Sequence, residues 1–192
     1  MVPLLNRGLA AVTIFLIACL VSMACRANES IKIGLVASAS GFSAEQGVLA
    51  VNGARLAVEE VNKSGGVGGR MLELQIEDDQ STNPGALLAF SKLSRERKIA
   101  AVIGPIRSTQ IQAMSPSIAK AGVPTLIGGS DPSLTHVNNR WLFRIRPSDT
   151  FSAKVIADFG INSLKARKWA IVYSTDAYGA GGAKVLTEAL KE

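Results

Sequence analysis

Cysteine is almost missing from these 192 residues, and the two present, Cys19 and Cys25, both fall in the first 27 positions. Everything downstream lacks thiols, so disulfide staples and thiol chemistry are excluded there, and stability has to come from a packed core. Histidine is nearly as scarce. His136 stands alone, which leaves no multi-histidine metal site and no choice of base for a serine nucleophile. Aromatics make up only 5% of the chain, too few to encode a base-stacking surface for nucleic acid. Low-complexity and strongly one-signed tracts are missing too, which argues against disorder.

The long uncharged run that does occur is N-terminal. After Arg7 the stretch Gly8 to Cys25 carries no charge and is followed by polar residues. That layout is a secretory leader, with small residues for cleavage after Ala24 or Ala27. "SMAC" at Cys25 and "LIAC" at Cys19 loosely match a lipoprotein cleavage box, and the run is also near the length of a membrane anchor. Residues 1–27 are therefore expected to be an export leader, cleaved or lipidated, outside the folded domain. The formal charge of +6 becomes +4 when Arg7 and Arg26 are set aside from the 21 basic residues against 15 acidic ones. The remaining clusters are Arg95, Arg97 and Lys98; Arg140, Arg144 and Arg146; and Lys165, Arg167 and Lys168. They are read as solvated, mostly at helix ends where cations suit the dipole.

From Ile31 on, short apolar runs alternate with longer amphipathic ones. Strands are expected over 31–38, 71–79, 100–104, 123–128 and 169–174 ("WAIVYS"). Helices are expected over 43–66, 83–98 (Asn83 as cap, Pro84 at its first position), 108–122, about 149–164, and from about 178 onward. Pro116 inside the fourth stretch predicts a bend or an irregular turn. Strand–helix alternation of this kind defines an α/β class with a mainly parallel sheet, in which ligands gather at the carboxyl ends of strands. Three loops leave those ends, 38–46, 104–109 and 128–132, and all three are rich in small residues.

Several motifs invite chemistry. "SGGVGGR" (64–70) follows a helix and precedes a strand, the reverse of a dinucleotide fingerprint, and reads as a turn. "EDD" (77–79) has no histidine near it and reads as a solvated strand terminus. Asp131 and Asp176 are loop acids that suit either an ammonium group or a turn. Ser108 and Ser130 have no visible general base, so nucleophilic catalysis is not supported. Ser108 and Thr109 after "AAVIGPIR" open a helix, where hydroxyls serve as caps or, with free N–H groups, as a carboxylate seat.

The ordered series "IKIGLVASASGFSAEQG", "GARLAVEEVNKSGGVGGRMLELQIEDDQSTNP", "AVIGPIRSTQ", "GVPTLIGGSDPSLT" and "WAIVYSTDAYGAG" resembles the leucine/isoleucine/valine-binding type of periplasmic binding protein, the substrate-binding part of amino-acid ABC importers. The resemblance implies three-layer α/β lobes forming a clamshell around a free amino acid or related amide. Residues 28–147 would be the first lobe and 148–192 the start of a second, incomplete one. It places Ile106, Arg107, Ser108, Gly128, Gly129 and Ser130 at the ligand carboxylate, and Tyr178 at the rim. Gln46 stands where branched-chain binders often carry an aromatic, a departure that points away from a purely aliphatic ligand. The same resemblance implies a periplasmic or lipid-anchored, non-enzymatic protein without cofactor, metal or nucleic acid, partnered by an inner-membrane permease. A sensory ectodomain of the same fold is the alternative.

Overall fold

A computed structural model describes residues 29–191. Five strands form one parallel sheet: β1 (Ile31–Ala37), β2 (Leu72–Asp78), β3 (Ile99–Ile103), β4 (Thr125–Ile127) and β5 (Leu142–Arg144). Their order is β2-β1-β3-β4-β5, so the chain steps outward from β1 to one edge and then to the other. The helices are α1 (Ala44–Lys63), α2 (Asn83–Arg95), α3 (Ser108–Ala121), α4 (Asp149–Asp158) and α5 (Ala177–Ala189). A 3-10 turn spans Pro132–Thr135, and a single π-helical turn (Phe159–Ser163) extends α4.

The period of two along β1 decides which helix covers which face. Leu35 and Ala37 point to one side and pack with Val51 of α1, joined by Ile76 and Ile103 from the neighbouring strands. Leu35 pairs with Ile76 on one side and Ile103 on the other, so this small cluster is a register effect. Val36 and Val102 point the other way, into a larger core with Phe90 and Leu93 of α2, Ile111, Met114 and Ile118 of α3, and Ile127 of β4. Burying each such side chain stabilises the fold by about 1.5–3 kcal/mol. The result is the expected α/β layering, helix–sheet–helix.

Details depart from expectation. Thr82, not Asn83, caps α2, its Oγ1 accepting from the Gly85 N–H at 3.0 Å. Helix α3 runs through Pro116 without an irregular turn and closes on Gly122 in the left-handed region, whose N–H donates to the Ile118 carbonyl. The "EDD" terminus is solvated only in part, with Glu77 and Asp78 partly exposed. Asp79 is fully buried and accepts from the Ser38 hydroxyl (2.6 Å) and the Ser81 N–H (2.8 Å), while Asp78 accepts from the Ser40 hydroxyl and N–H. These carboxylates tie the β1–α1 loop to the end of β2. The largest departure is residues 169–174, expected as a strand. They pair with no strand, and Val172 is 98% exposed. An apolar run becomes a strand only beside a partner's backbone, and among the described residues none flanks it.

Candidate functional site

The ligand-end loops are brought together as the parallel topology requires. After β3 the chain passes through Gly104 at φ 87, a conformation that favours glycine; a side chain there would also strike the Val36 carbonyl. That turn delivers Ile106 and Arg107 to the sheet's carboxyl end and starts α3 at Ser108. Gln46 comes from the first turn of α1, Ser130 from the loop after β4, and Tyr178 from the first turn of α5. These six residues line one cavity of about 300 Å³, together with Thr109, Arg146 and Asp176. The size is at the lower end of small-molecule sites.

Each polar group has a definable donor or acceptor state. Ser108 is 2% exposed, and its Oγ accepts from the Asp131 N–H at 3.3 Å. Its own proton remains available. Arg107 caps α3 without a side-chain bond, so Ser108 does not act as the helix cap. The first-turn N–H groups of α3 have no partner within the helix, and their dipole favours an anion. Ser130 is the opposite case. Its hydroxyl lies 2.9 Å from Asp149 Oδ2, an acceptor only, so the proton is committed and the lone pairs are what it has left to offer. The Asp149 N–H returns a bond to the Ser130 carbonyl at 2.9 Å, tying the loop to the start of α4.

Three arginines border this region in different states. Arg144 donates to the carbonyls of Ser130 (2.9 Å), Asp131 (2.8 Å) and Pro132 (3.3 Å) and to Thr135 Oγ1 (3.2 Å). Burial lowers its pKa, against the pull of Asp131 and Asp149. It is therefore a brace for the loop, not a solvated cation. The Arg107 guanidinium carbon sits over the Phe42 ring, 4.2 Å from its centroid; the side chain donates to Ser43 Oγ at 3.2 Å and approaches Asp176 at 3.9 Å, and its buried Nε has no partner among the described residues. Arg146 makes a single 3.5 Å bond to the Gly128 carbonyl.

Asp176 caps α5, accepting from the Gly179 N–H at 2.9 Å and the Ser174 hydroxyl at 2.7 Å. Those two bonds, then Arg107, hold its carboxyl below the usual range despite partial burial. It serves as both turn former and cavity wall. Asp131 caps the 3-10 turn through Ser133 and stays buried, so only the turn role fits it. Gly128 and Gly129 do not line the cavity. The Gly128 N–H is spent on the Pro105 carbonyl at 3.2 Å, and Gly129 packs under Ile111 and Leu134. Sequence reasoning left Arg146 out of the site. The signal for Arg146 was the Arg144-x-Arg146 spacing, which extends the β5 alternation toward the sheet's carboxyl end.

Among the described residues no group of three or more His, Cys, Asp or Glu could hold a metal ion, and no helix is long and apolar enough to cross a membrane. The family model described as "Periplasmic binding protein" matches residues 30–192. The chain belongs to the periplasmic binding protein family. Its relatives include "Amino acid binding protein" of Pseudomonas aeruginosa, 27% identical over 93% of this chain and 47% of that one. "Leu/Ile/Val-binding protein BraC3" of Rhizobium johnstonii is 33% identical over 81% of this chain and 42% of its own length. Among solved structures, the branched-chain amino acid transporter substrate binding protein LivJ of Streptococcus pneumoniae, in complex with isoleucine, superposes with a TM-score of 0.76 at 32% identity, covering 85% of this chain and 47% of that one. The chain thus spans about half the length of these periplasmic binding proteins. They are binders rather than enzymes, in line with the lack of a catalytic pairing in the sequence.

Proposed function

We propose that the chain belongs to the extracytoplasmic solute-binding component of an ABC importer, taking an amino-acid-like or amide ligand and presenting it to an inner-membrane permease. Residues 28–147 are the first ligand-binding lobe and 148–192 the opening part of the second. The observation that carries the reading is the cavity at the sheet's carboxyl end, where Ser108 retains a free proton at the start of α3. In this reading the ligand carboxylate takes the Ser108 hydroxyl, Thr109 and the first-turn N–H groups of α3. The ammonium or amide N–H takes the Ser130 lone pairs and Asp176. Ile106, Gln46 and Tyr178 border the side chain, and Arg107 closes the wall between Phe42 and Asp176. The branched-chain binding named for the Rhizobium and Streptococcus relatives supports the ligand class.

The test is titration calorimetry of the full chain with leucine, isoleucine, valine and small amides, in the wild type and in Ser108→Ala. A hydrogen bond to a charged group is worth about 1.5–3 kcal/mol, so affinity should drop roughly ten- to hundred-fold. Ser108→Ala also leaves the buried Asp131 N–H without its acceptor, a stability cost of about 1–3 kcal/mol, so affinity is read on protein whose melt shows it folded. Unchanged affinity in Ser108→Ala places the carboxylate elsewhere.

A further inference from the structure

Counting charges around the cavity leaves one unmatched. Its ionisable walls, apart from Tyr178, are Arg107, Arg146 and Asp176. Arg107 and Asp176 face each other at 3.9 Å, and Arg107 is further held by Phe42 and Ser43, so that pair is internally neutral and fixed in place. Arg146, exposed at the mouth of the cavity, has no such partner. Among the described residues no carboxylate lies within 4.0 Å of it, and one 3.5 Å bond to a carbonyl uses one of its five donors. Asp149 lines the neighbouring groove that Arg146 also borders and keeps its charge while accepting from the neutral Ser130 hydroxyl, but it lies outside ion-pair distance of Arg146 and does not line this cavity. Two residues back, Arg144 shows what a structural arginine looks like here, with four acceptors around its guanidinium.

We infer that Arg146 reads a second acidic group on the ligand, so that the preferred solute is a dicarboxylate amino acid rather than an aliphatic one. The inference rests on the solute-binding reading above and sharpens its ligand class. A zwitterionic amino acid is neutral overall. A cavity wall with a net single positive charge is complemented by a ligand of net single negative charge. The α-carboxylate and ammonium go to the Ser108 and Asp176 sides, and the side-chain carboxylate meets the planar Arg146 fork, which suits bidentate capture. Gln46, polar where an aliphatic binder would gain from an apolar wall, agrees with this.

The experiment compares L-glutamate with L-glutamine, near-isosteric and differing by one charge, and with L-leucine, by calorimetry on the full chain. The wild type should prefer glutamate over glutamine by about ten- to hundred-fold, and the preference should shrink as salt rises. In Arg146→Gln the ratio should fall to about one, with Arg146→Lys between the two. Equal affinity for glutamate and glutamine in the wild type overturns the inference without recourse to any variant. So does a preference that survives in a folded Arg146→Gln protein. Tight leucine binding with no glutamate binding refutes the acidic-ligand inference and leaves the solute-binding proposal standing. Failure of all three, and of the wider amino-acid and amide set, refutes both.

Discussion

Arg144 and Arg146 are separated by one residue, yet their removal should cost very different amounts of stability. In Arg144→Gln the Ser130 and Asp131 carbonyls lose charged donors at 2.9 and 2.8 Å, and Pro132 and Thr135 lose longer contacts. Two good bonds from a charged donor amount to roughly 3–6 kcal/mol at face value. Arg144 is only part-buried, so water replaces some of that, and a net loss of about 2–3 kcal/mol is the reasonable figure. For a domain of this size each kcal/mol moves the melting temperature by about 2–4 °C, giving a drop of roughly 5–10 °C. Arg146→Gln, which gives up one 3.5 Å bond, should lower it by less than about 2 °C. Calorimetric melts of both variants beside the wild type make the comparison. A drop in Arg144→Gln no larger than that in Arg146→Gln would show that the 130–135 loop is held by something other than this brace.

Asp176→Ala should cost about 1 kcal/mol at pH 7 through loss of the α5 cap. The native carboxyl is held below its ordinary value, so its contribution is present above the unfolded value near ~3.9 and is lost as pH falls through the native one. Urea titrations at pH 7 and pH 3 should show the deficit of the variant shrinking at the lower pH, and a constant deficit would refute the assignment. Two glycines give a graded packing test. Gly129→Ala drives a methyl to 2.5 Å from Ile111 Cδ1 and 2.7 Å from Leu134 Cδ1, side chains that can shift, for a loss of about 1–3 kcal/mol in denaturant unfolding. Gly47→Ala collides with the Ser38 carbonyl, which is backbone and cannot turn aside, so about 3 kcal/mol or more is expected; the reverse ranking would contradict the packing described.

The parallel sheet was legible because it is local in pattern. Each β–α unit declares itself by a short apolar run, a stop at Gly or Pro and an amphipathic stretch, and parallel pairing then follows from the connections. The clustering of Gln46, Ile106 to Thr109 and Ser130 is a consequence of that topology, so loops at the same end of a sheet could be grouped before any coordinates. What could not be read is the direction of each hydroxyl. Ser108 and Ser130 look alike in sequence, one before Thr and one before Asp. Only the folded positions of the Asp131 N–H and of Asp149 make the first a free donor and the second a committed one.

The same limit explains the charged and apolar misreadings. Asp79 and Arg144 are polar residues at strand ends, where solvation is the default expectation; Arg146 meets that expectation and is exposed. Asp79 is instead buried because Ser38 and the Ser81 N–H converge on it from outside its own strand, and Arg144 is braced because the loop after β4 folds its carbonyls back over β5. Residues 169–174 err in the other direction. Their composition is that of a buried strand, but composition states only what a segment would gain by burial. Burial also needs a partner's hydrogen-bonding edge, a long-range feature that periodicity within six residues does not carry. Arg146 joins the two problems: its segment carried no strand expectation, and only the fold brings it to the same cavity as Ser108, Ser130 and Asp176.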